Sequence, residues 1–425
     1  MKIAIIGSGI SGLTAAYYLH PDHDITLFEA NDYIGGHTAT VNVTLAGKEY
    51  AVDTGFIVYN DRTYPNFIRL MDELGVKRRP TEMSFSVRND GNGLEYNGHS
   101  LRTLFAQKRN LFRPAFYRFI GEIMRFNQLA KEAAKSHSRY STLGEFLQKH
   151  RFSADFCENY ILPMGAAIWS STMADMRQFP LDFFLRFFLN HGLLDVLNRP
   201  QWYVIDGGSS NYIPALTEKF ADKIRLNSEV TRVIRGQLGV EVVSKGVKER
   251  FDDVIFACHS NQALAMLSDA TDEERSLLSA IRYQPNDVVL HTDVDLLPRH
   301  KSAWAAWNYW LNGSPEEASA LPAVTYNMNI LQHIRAPHTF CVTLNNSERI
   351  DPSKILRRFV YDHPVFSVEA IAAQSKRDVI NGRHHTWFCG AYWYNGFHED
   401  GVRSALDVVA LIEEKYADNI NRGAA

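Results

Sequence analysis

No two of the four cysteines lie close together: Cys157, Cys258, Cys341 and Cys389 are spread along the chain without a C-x-x-C pair. That spacing argues against a metal knuckle and against a disulfide framework, so a reducing cytoplasm suits the chain best. Long apolar runs are missing too. No stretch of about 18 predominantly apolar residues reads as a membrane span. Charge of one sign is also scarce, with 45 Lys and Arg against 48 Asp and Glu, so no basic excess points to nucleic acid. A Ser-His-Asp elbow, H-E-x-x-H and a Walker A loop are all absent, which removes the corresponding hydrolase, zinc-protease and P-loop readings. Lys2 ahead of an apolar run has the look of a secretory leader. The glycine spacing that follows, and the lack of an A-x-A-like cleavage site, mark a core strand instead. What remains is an ordinary globular composition, 45% hydrophobic over 425 residues, enough for two domains with sizeable cores.

The informative stretch is the first. Ile3 to Ile6 form a short apolar run, as a strand buried on both faces should. Gly7, Gly9 and Gly12 follow in G-x-G-x-x-G spacing, and Leu13 to Leu19 read as a helix rich in small residues. Gly7 permits the tight turn, Gly9 lets a pyrophosphate reach the backbone, and Gly12 lets helix and strand pack closely. The helix start, at Ile10 and Ser11, offers free N–H groups and a positive dipole end to phosphates. Ile25 to Phe28 make a second strand, and Glu29 at its end stands 17 residues after Gly12, where an acid accepts hydrogen bonds from adenosine ribose. An α/β fold with a dinucleotide site follows from that order of elements.

After Ala30 comes a second glycine pair, Gly35-Gly36-His37-Thr38, and then a strand ending in Asp53-Thr-Gly55-Phe56. With these residues the chain resembles the flavin-dependent amine oxidase superfamily, which includes protoporphyrinogen oxidase and the carotenoid desaturases. The resemblance implies a Rossmann-like FAD-binding domain with an inserted α+β substrate domain. It also implies that the Gly-Gly loop and the Asp-x-Gly turn near the flavin. The family's arginine after Gly-Gly is His37 here, either a plain loop histidine or a contact to the pyrophosphate. Two later blocks continue the likeness. Tyr203 to Leu216, with Gly207-Gly208, leads into a strand where Val230 matches a position bordering the adenine. Thr386 to Ser404 then resembles the C-terminal flavin motif, with Gly390, Glu399, Asp400, Gly401 and Val402 at a strand turn and a helix start. There the helix N-terminus would face the flavin C2 carbonyl. The family's acid after the strand glycine is Ala391.

Residues 1–85, 205–261 and 376–425 are thus expected to form a discontinuous FAD-binding domain, with 86–204 and 262–375 as a substrate-binding cap. Gly35-Gly-His-Thr38, Thr325-Tyr-Asn-Met-Asn329 and Gly396-Phe-His-Glu-Asp400 look most like bacterial NAD/FAD-binding proteins of that superfamily, commonly associated with cyclopropane-fatty-acid-synthase-like partners and lipid modification. In the cap, residues 101–150 are helical in pattern, with Phe and Ile at three- and four-residue spacing among Arg109, Arg113, Arg118, Arg125 and Lys131. Residues 108–131 read either as a core-facing helix with a solvated basic face or as a peripheral membrane contact. Phe179 to Leu194 is apolar on nearly all sides. Such a run is either dry core or the lining of a greasy tunnel, with Trp169, Phe183, Phe184 and Phe187 as its candidates. Catalytic candidates are Trp393 and Tyr394 beside the flavin motif and Lys301 in the second insertion; no metal site is expected. The leading reading is an FAD oxidoreductase taking a hydride from a C–N or C–C bond of an apolar, lipid or fatty-acyl, substrate. An isomerase or mutase of the same fold, a small-amine oxidase and a redox-silent binding flavoprotein are the alternatives.

Overall fold

The structure, a computed structural model, describes residues 1–135, 140–195 and 198–423. Five parallel strands make the first sheet: β1 (Lys2–Ile6), β2 (Asp24–Phe28), β3 (Ile224–Arg225), β4 (Asp253–Phe256) and β5 (Thr386–Phe388), in the order β3-β2-β1-β4-β5. β1 is central, with Ile3 opposite both Ile25 and Asp253. Its side chains alternate between two cores, as the two-residue strand period requires. Ile3 and Ile5 face α1 (Ile10–Leu19) and the last helix. Ala4 and Ile6 face Val233, Val254, Phe256 and Leu278. Being covered on both faces, the strand has no polar alternation, which is why it reads as a continuous apolar run.

A seven-stranded mixed sheet stands apart from this one. Its order is Ile355–Val365, Arg282–His291, Cys341–Leu344, Ala323–Asn327, Trp307–Leu311, Phe85–Asn89, Leu94–Asn97. The aromatic stretch after Trp304 supplies a strand of its own, Trp307–Leu311. Helices α2 (Pro114–Lys135), α3 (Leu162–Trp169) and α4 (Leu181–Asn190) share a hydrophobic cluster with Val87, Tyr309, Leu311 and Val324 of this sheet. The helical pattern over 101–150 is broken before Pro114. Arg113 takes extended backbone, the conformation favoured by a residue preceding proline. The chain ends in α5 (His398–Gly423), which lies along α1. Among the described residues no helix is long and apolar enough to cross a membrane.

Candidate functional site

The glycine loop is shaped by two opposite spatial demands. A Cβ on Gly12 would lie 1.9 Å from the Gly7 carbonyl oxygen, so the start of α1 can sit this close to β1 only without a side chain. A Cβ on Gly9 would meet nothing within 4 Å. Gly9 is also the N-cap of α1 and provides no side-chain cap, so the first-turn N–H groups face that open space unsatisfied. Glu29 is buried beside them. Its Oε2 accepts from the Ser8 N–H (2.9 Å) and the Ser8 hydroxyl (2.6 Å). Its Oε1 accepts from the Asn31 N–H (2.8 Å) and side-chain amide (2.9 Å). An uncapped helix start, room at Gly9 and an acid within the same loop fit the diphosphate and ribose of a dinucleotide.

The second glycine loop folds onto the first, the Gly35 N–H donating to the Ser8 carbonyl at 3.0 Å. The Asp53–Phe56 turn holds this loop from behind. A Cβ on Gly55 would lie 2.0 Å from the His37 carbonyl oxygen, which instead accepts the Phe56 N–H at 2.7 Å. Asp53 is fully buried, and its Oδ1 accepts from the Thr40 hydroxyl, the Ser209 N–H and the Ser209 hydroxyl at 2.6 to 3.0 Å. It thereby ties the Asp-x-Gly turn to the Gly207-Gly208 turn. Burial raises its carboxyl to about 6 despite these bonds.

The start of α5 arrives at the same place. His398 stacks on Phe56 with ring centres 3.6 Å apart, and its Nε2 lies 3.0 Å from both Thr38 Oγ1 and the Tyr212 hydroxyl. The Ser11 hydroxyl donates to the Gly401 carbonyl at 3.0 Å, so two helix N-termini converge. Such an arrangement gathers two positive dipole ends around one space. Glu399 accepts from the Asn66 and Phe67 N–H groups and the Asn66 amide, capping the helix Pro65–Glu73. Asp400 accepts from the Phe397 N–H at 2.9 Å, and burial raises its carboxyl to about 7.

Three further imidazoles gather where this region meets the edge of the seven-stranded sheet. The His37 ring lies 6.2 Å from His259, 5.7 Å from His363 and 5.2 Å from Tyr361. His259 stacks on Tyr283 at 4.2 Å, and His363 Nδ1 is 2.8 Å from the Ser170 hydroxyl. Burial lowers His259 to about 4 and both His363 and His398 to about 3. It also lowers His37, against the opposing charge of Asp362. Their surroundings thus favour the uncharged form of each imidazole. His37 Nε2 is shut off from solvent and has no partner among the described residues. Among those residues no group of His, Cys, Asp or Glu is arranged to hold a metal ion.

Other residues singled out from the sequence lie elsewhere. Lys301 is exposed, its ammonium 5.7 Å over the Trp304 ring. Trp393 is buried among Val254, Ile380 and Phe388, while the Tyr394 hydroxyl donates to Asp407 at 2.7 Å. Trp169, Phe183, Phe184 and Phe187 pack on one another and on Phe179 and Phe188, none more than 4% exposed. Phe187 alone of these reaches towards α5, stacking on His191 (3.8 Å) and Phe397 (5.1 Å). His191 and Phe397 help line a cavity of about 510 Å³ with Tyr64, Glu399, Asp400 and Arg403. Val230 is buried at the start of the strand Val230–Gly236, Val402 is buried in α5, and Ala30 is exposed. The Gly390 N–H donates to the Ser404 hydroxyl at 2.8 Å, which fixes the strand turn to α5. Sequence reasoning missed Tyr212, His259, Tyr361, His363 and His398 as site residues. They come from separate segments; Tyr212 stood within the Tyr203 to Leu216 block and His398 within the Gly396 to Asp400 motif, while the other three lay outside both.

Residues 10–327 match the flavin containing amine oxidoreductase family. A Mycobacterium tuberculosis protein named flavin-containing monoamine oxidase AofH is 26% identical over 256 residues, covering 57% of this chain and 54% of that protein. The chain thus spans about half the length of the curated relatives it matches. Among solved structures, cyclohexylamine oxidase from Brevibacterium oxydans IH-35A superposes with a TM-score of 0.70 at 16% identity, covering 98% of this chain and 99% of its own. A CLA-producing fatty acid isomerase from P. acnes superposes with a TM-score of 0.69 at 18% identity, covering 96% and 97%. These likenesses establish a shared fold, with its Rossmann-like domain. Because the family match starts on the helix after the glycine loop and runs through most of both insertions, this protein belongs to the flavin containing amine oxidoreductases, and FAD is its cofactor.

Proposed function

We propose that this protein is an FAD-dependent oxidoreductase that removes a hydride from a C–N or C–C bond of an apolar substrate. The observation that carries the reading is the group of half-buried rings at the centre of the site, His37, His259 and His363 beside Tyr361 and Tyr283, where partial burial disfavours a charge on the imidazoles. A neutral, ring-lined space suits an uncharged substrate and disfavours an unpaired cation. Bound FAD supplies the hydride-accepting chemistry. The chain supplies position and electrostatics. The N–H groups at the start of α1 would hold the pyrophosphate, and a ribose hydroxyl would take over from the Ser8 hydroxyl at Glu29. The start of α5 would favour negative charge on the flavin ring. His37 Nε2 is free to bond the cofactor in place of the family's arginine. In this reading residues 1–85, 205–261 and 376–425 form the FAD-binding domain, while 86–204 and 262–375 close over it and exclude water.

The substrate proposed is a lipid or fatty-acyl chain, with residues 108–131 touching a membrane surface. The support is the apolar bulk of α4 and the cavity its C-terminal end adjoins. A second reading, oxidation of a small amine, is favoured by Asp362, whose charge acts on both His37 and Tyr283. Anaerobic titration separates them. FAD-loaded protein bleached by fatty-acyl compounds and not by alkylamines supports the first reading. Bleaching by amines that Asp362→Asn abolishes supports the second. Conversion of a lipid without net bleaching would indicate isomerisation instead, and a preparation that never retains flavin would overturn all three.

A further inference from the structure

Phe112 is 87% exposed and Leu101 77% exposed, unusual positions for large apolar side chains. They are not scattered. Phe112 ends the turn Lys108–Phe112, whose Leu111 is also exposed, and α2 begins two residues later. The Tyr117 hydroxyl donates to the Leu111 carbonyl at 3.0 Å, and the Tyr117 ring lies 5.8 Å from Phe105, whose N–H is bonded to the Leu101 carbonyl. Phe105 in turn lies 5.4 Å from the buried Phe116. The surface side chains are thus carried on a scaffold rooted in the core. Further along α2, exposed Gly121 and Met124 continue the face of Tyr117 at four and seven residues, the spacing of one helical stripe.

The charge along this segment is one-sided up to Glu122, which pairs with Arg125. Between Glu95 and Glu122 there is no acidic residue, although the whole chain has a net charge of −3. Arg102, Lys108, Arg109, Arg113 and Arg118 fall in that interval, and all five are exposed. None of them forms an ion pair with a carboxylate among the described residues. Elsewhere on the molecule exposed basic groups commonly do, as Arg79 does with Asp206 and Arg225 with Glu249.

We infer that this surface, from Leu101 to Met124, docks the protein on an anionic lipid bilayer. The combination selects that occupant. Exposed apolar side chains interspersed with exposed cations can enter the acyl boundary while the cations stay at the headgroups. Arg and Lys stems reach along apolar surface and keep their charge in the polar layer. A soluble acidic protein would match the cations and leave Phe112 and Leu101 in water. A neutral bilayer would accept the apolar tips and give the cations nothing. The inference gives the membrane contact of the proposed function its residues and its lipid class, and it depends on neither the flavin chemistry nor the substrate.

The test uses FAD-loaded protein sedimented with vesicles of phosphatidylcholine, or of phosphatidylcholine and phosphatidylglycerol in equal parts. Binding is expected only to the vesicles with phosphatidylglycerol, falling as salt is raised from about 0.05 to about 0.5 M. Phe112→Ser and the double variant Lys108→Ser, Arg113→Ser should each keep wild-type flavin content and melting temperature. The double variant is expected to bind about tenfold or more weakly, on the scale of two headgroup-level cations. No binding to the anionic vesicles would overturn the inference. So would variants that bind as well as the wild type, or concentration-dependent self-association that Phe112→Ser abolishes in the absence of lipid. Flavin content and anaerobic bleaching are measured separately, so a failed membrane test leaves the reading of the active site untouched.

Discussion

Helices α1 and α4 are each ten residues long, and each buries the larger part of its side chains, yet they do opposite things with that burial. α1 buries Gly12, Ala15 and Ala16, and so brings backbones together. Its own polar start is left open to a ligand, with room at Gly9 and no cap. α4 buries Phe183, Phe184, Phe187 and Phe188, which keep backbones apart and fill the gap with rings. Asp182 and Arg186 give it one exposed polar stripe, so the helix is less uniformly apolar than its sequence suggests. Small residues specify a position to within tenths of an ångström, whereas large ones specify a volume.

Substitutions at the two helices should therefore fail in different ways. Gly12→Val has the largest expected effect, because even the first added carbon would clash with the Gly7 carbonyl. It should lose the folded state or melt far below the wild type, with overpacking costs at or above ~3 kcal/mol. Gly9→Val should instead fold normally and fail to retain FAD, since its side chain has room until the pyrophosphate arrives. A Gly9→Val protein that purifies with full flavin would break the contrast. Phe184→Ala comes next, at ~3–5 kcal/mol of stability by chemical denaturation, with FAD still bound. If Phe184→Ala costs little but changes the response of the flavin spectrum to long-chain ligands, α4 lines a tunnel. Glu29→Ala should weaken FAD binding by ~1.5–3 kcal/mol, measured by fluorescence titration of the FAD-free protein. Unchanged affinity would remove Glu29 from the site.

The smallest effect is on pH dependence. His191, His259 and His291 are lowered by burial to about 4, and His363 and His398 to about 3. The unfolded chain takes up protons near 6.5 that the folded protein refuses. Their contribution to stability is thus complete above about 6.5 and lost as pH falls towards about 4. Asp53 and Asp400, raised by burial to about 6 and about 7, act the other way: their contribution is present at low pH and lost as pH rises through those values. Five imidazoles outweigh two carboxyls, so the melting temperature of FAD-free protein should fall between pH 6.5 and 4. A flat profile there would mean the imidazoles remain hydrated.

The same contrast explains what could be read in the sequence. The strand, the glycine loop, α1 and Glu29 were legible because close backbone approach demands glycine at fixed intervals, and strand alternation demands apolar residues on both faces. The start of α5 was legible for the same reason, from Gly390 and Gly401. The Phe-rich run was not, since a tunnel wall and a packed core have the same composition; the structure sets Trp169 and Phe184 among neighbouring rings. The imidazole group was invisible. His37, His259, His363 and His398 are separated by 35 to 222 residues, and no spacing rule links one turn to another across folded strands. The strand Trp307–Leu311 was hidden for a related reason, because its sequence Trp-Asn-Tyr-Trp-Leu carries no strict apolar–polar alternation.

The hydrogen bond from Ser11 to Gly401 joins residues 390 positions apart. On a chain made N-terminus first, Ser11 exists long before its partner, and β1 must also wait for β4 and β5 to complete the sheet around it. The nucleotide loop is thus synthesised well before the segments that finish it. Its apolar strand stays without its later neighbours during synthesis, when such segments are prone to aggregation. Contacts of this range also make for slow folding. FAD should accordingly bind only after the last block is in place, and a chain stopped before Thr386 should emerge without flavin even when FAD is abundant. Flavin retained by such a truncated chain would show that the first block closes without the last.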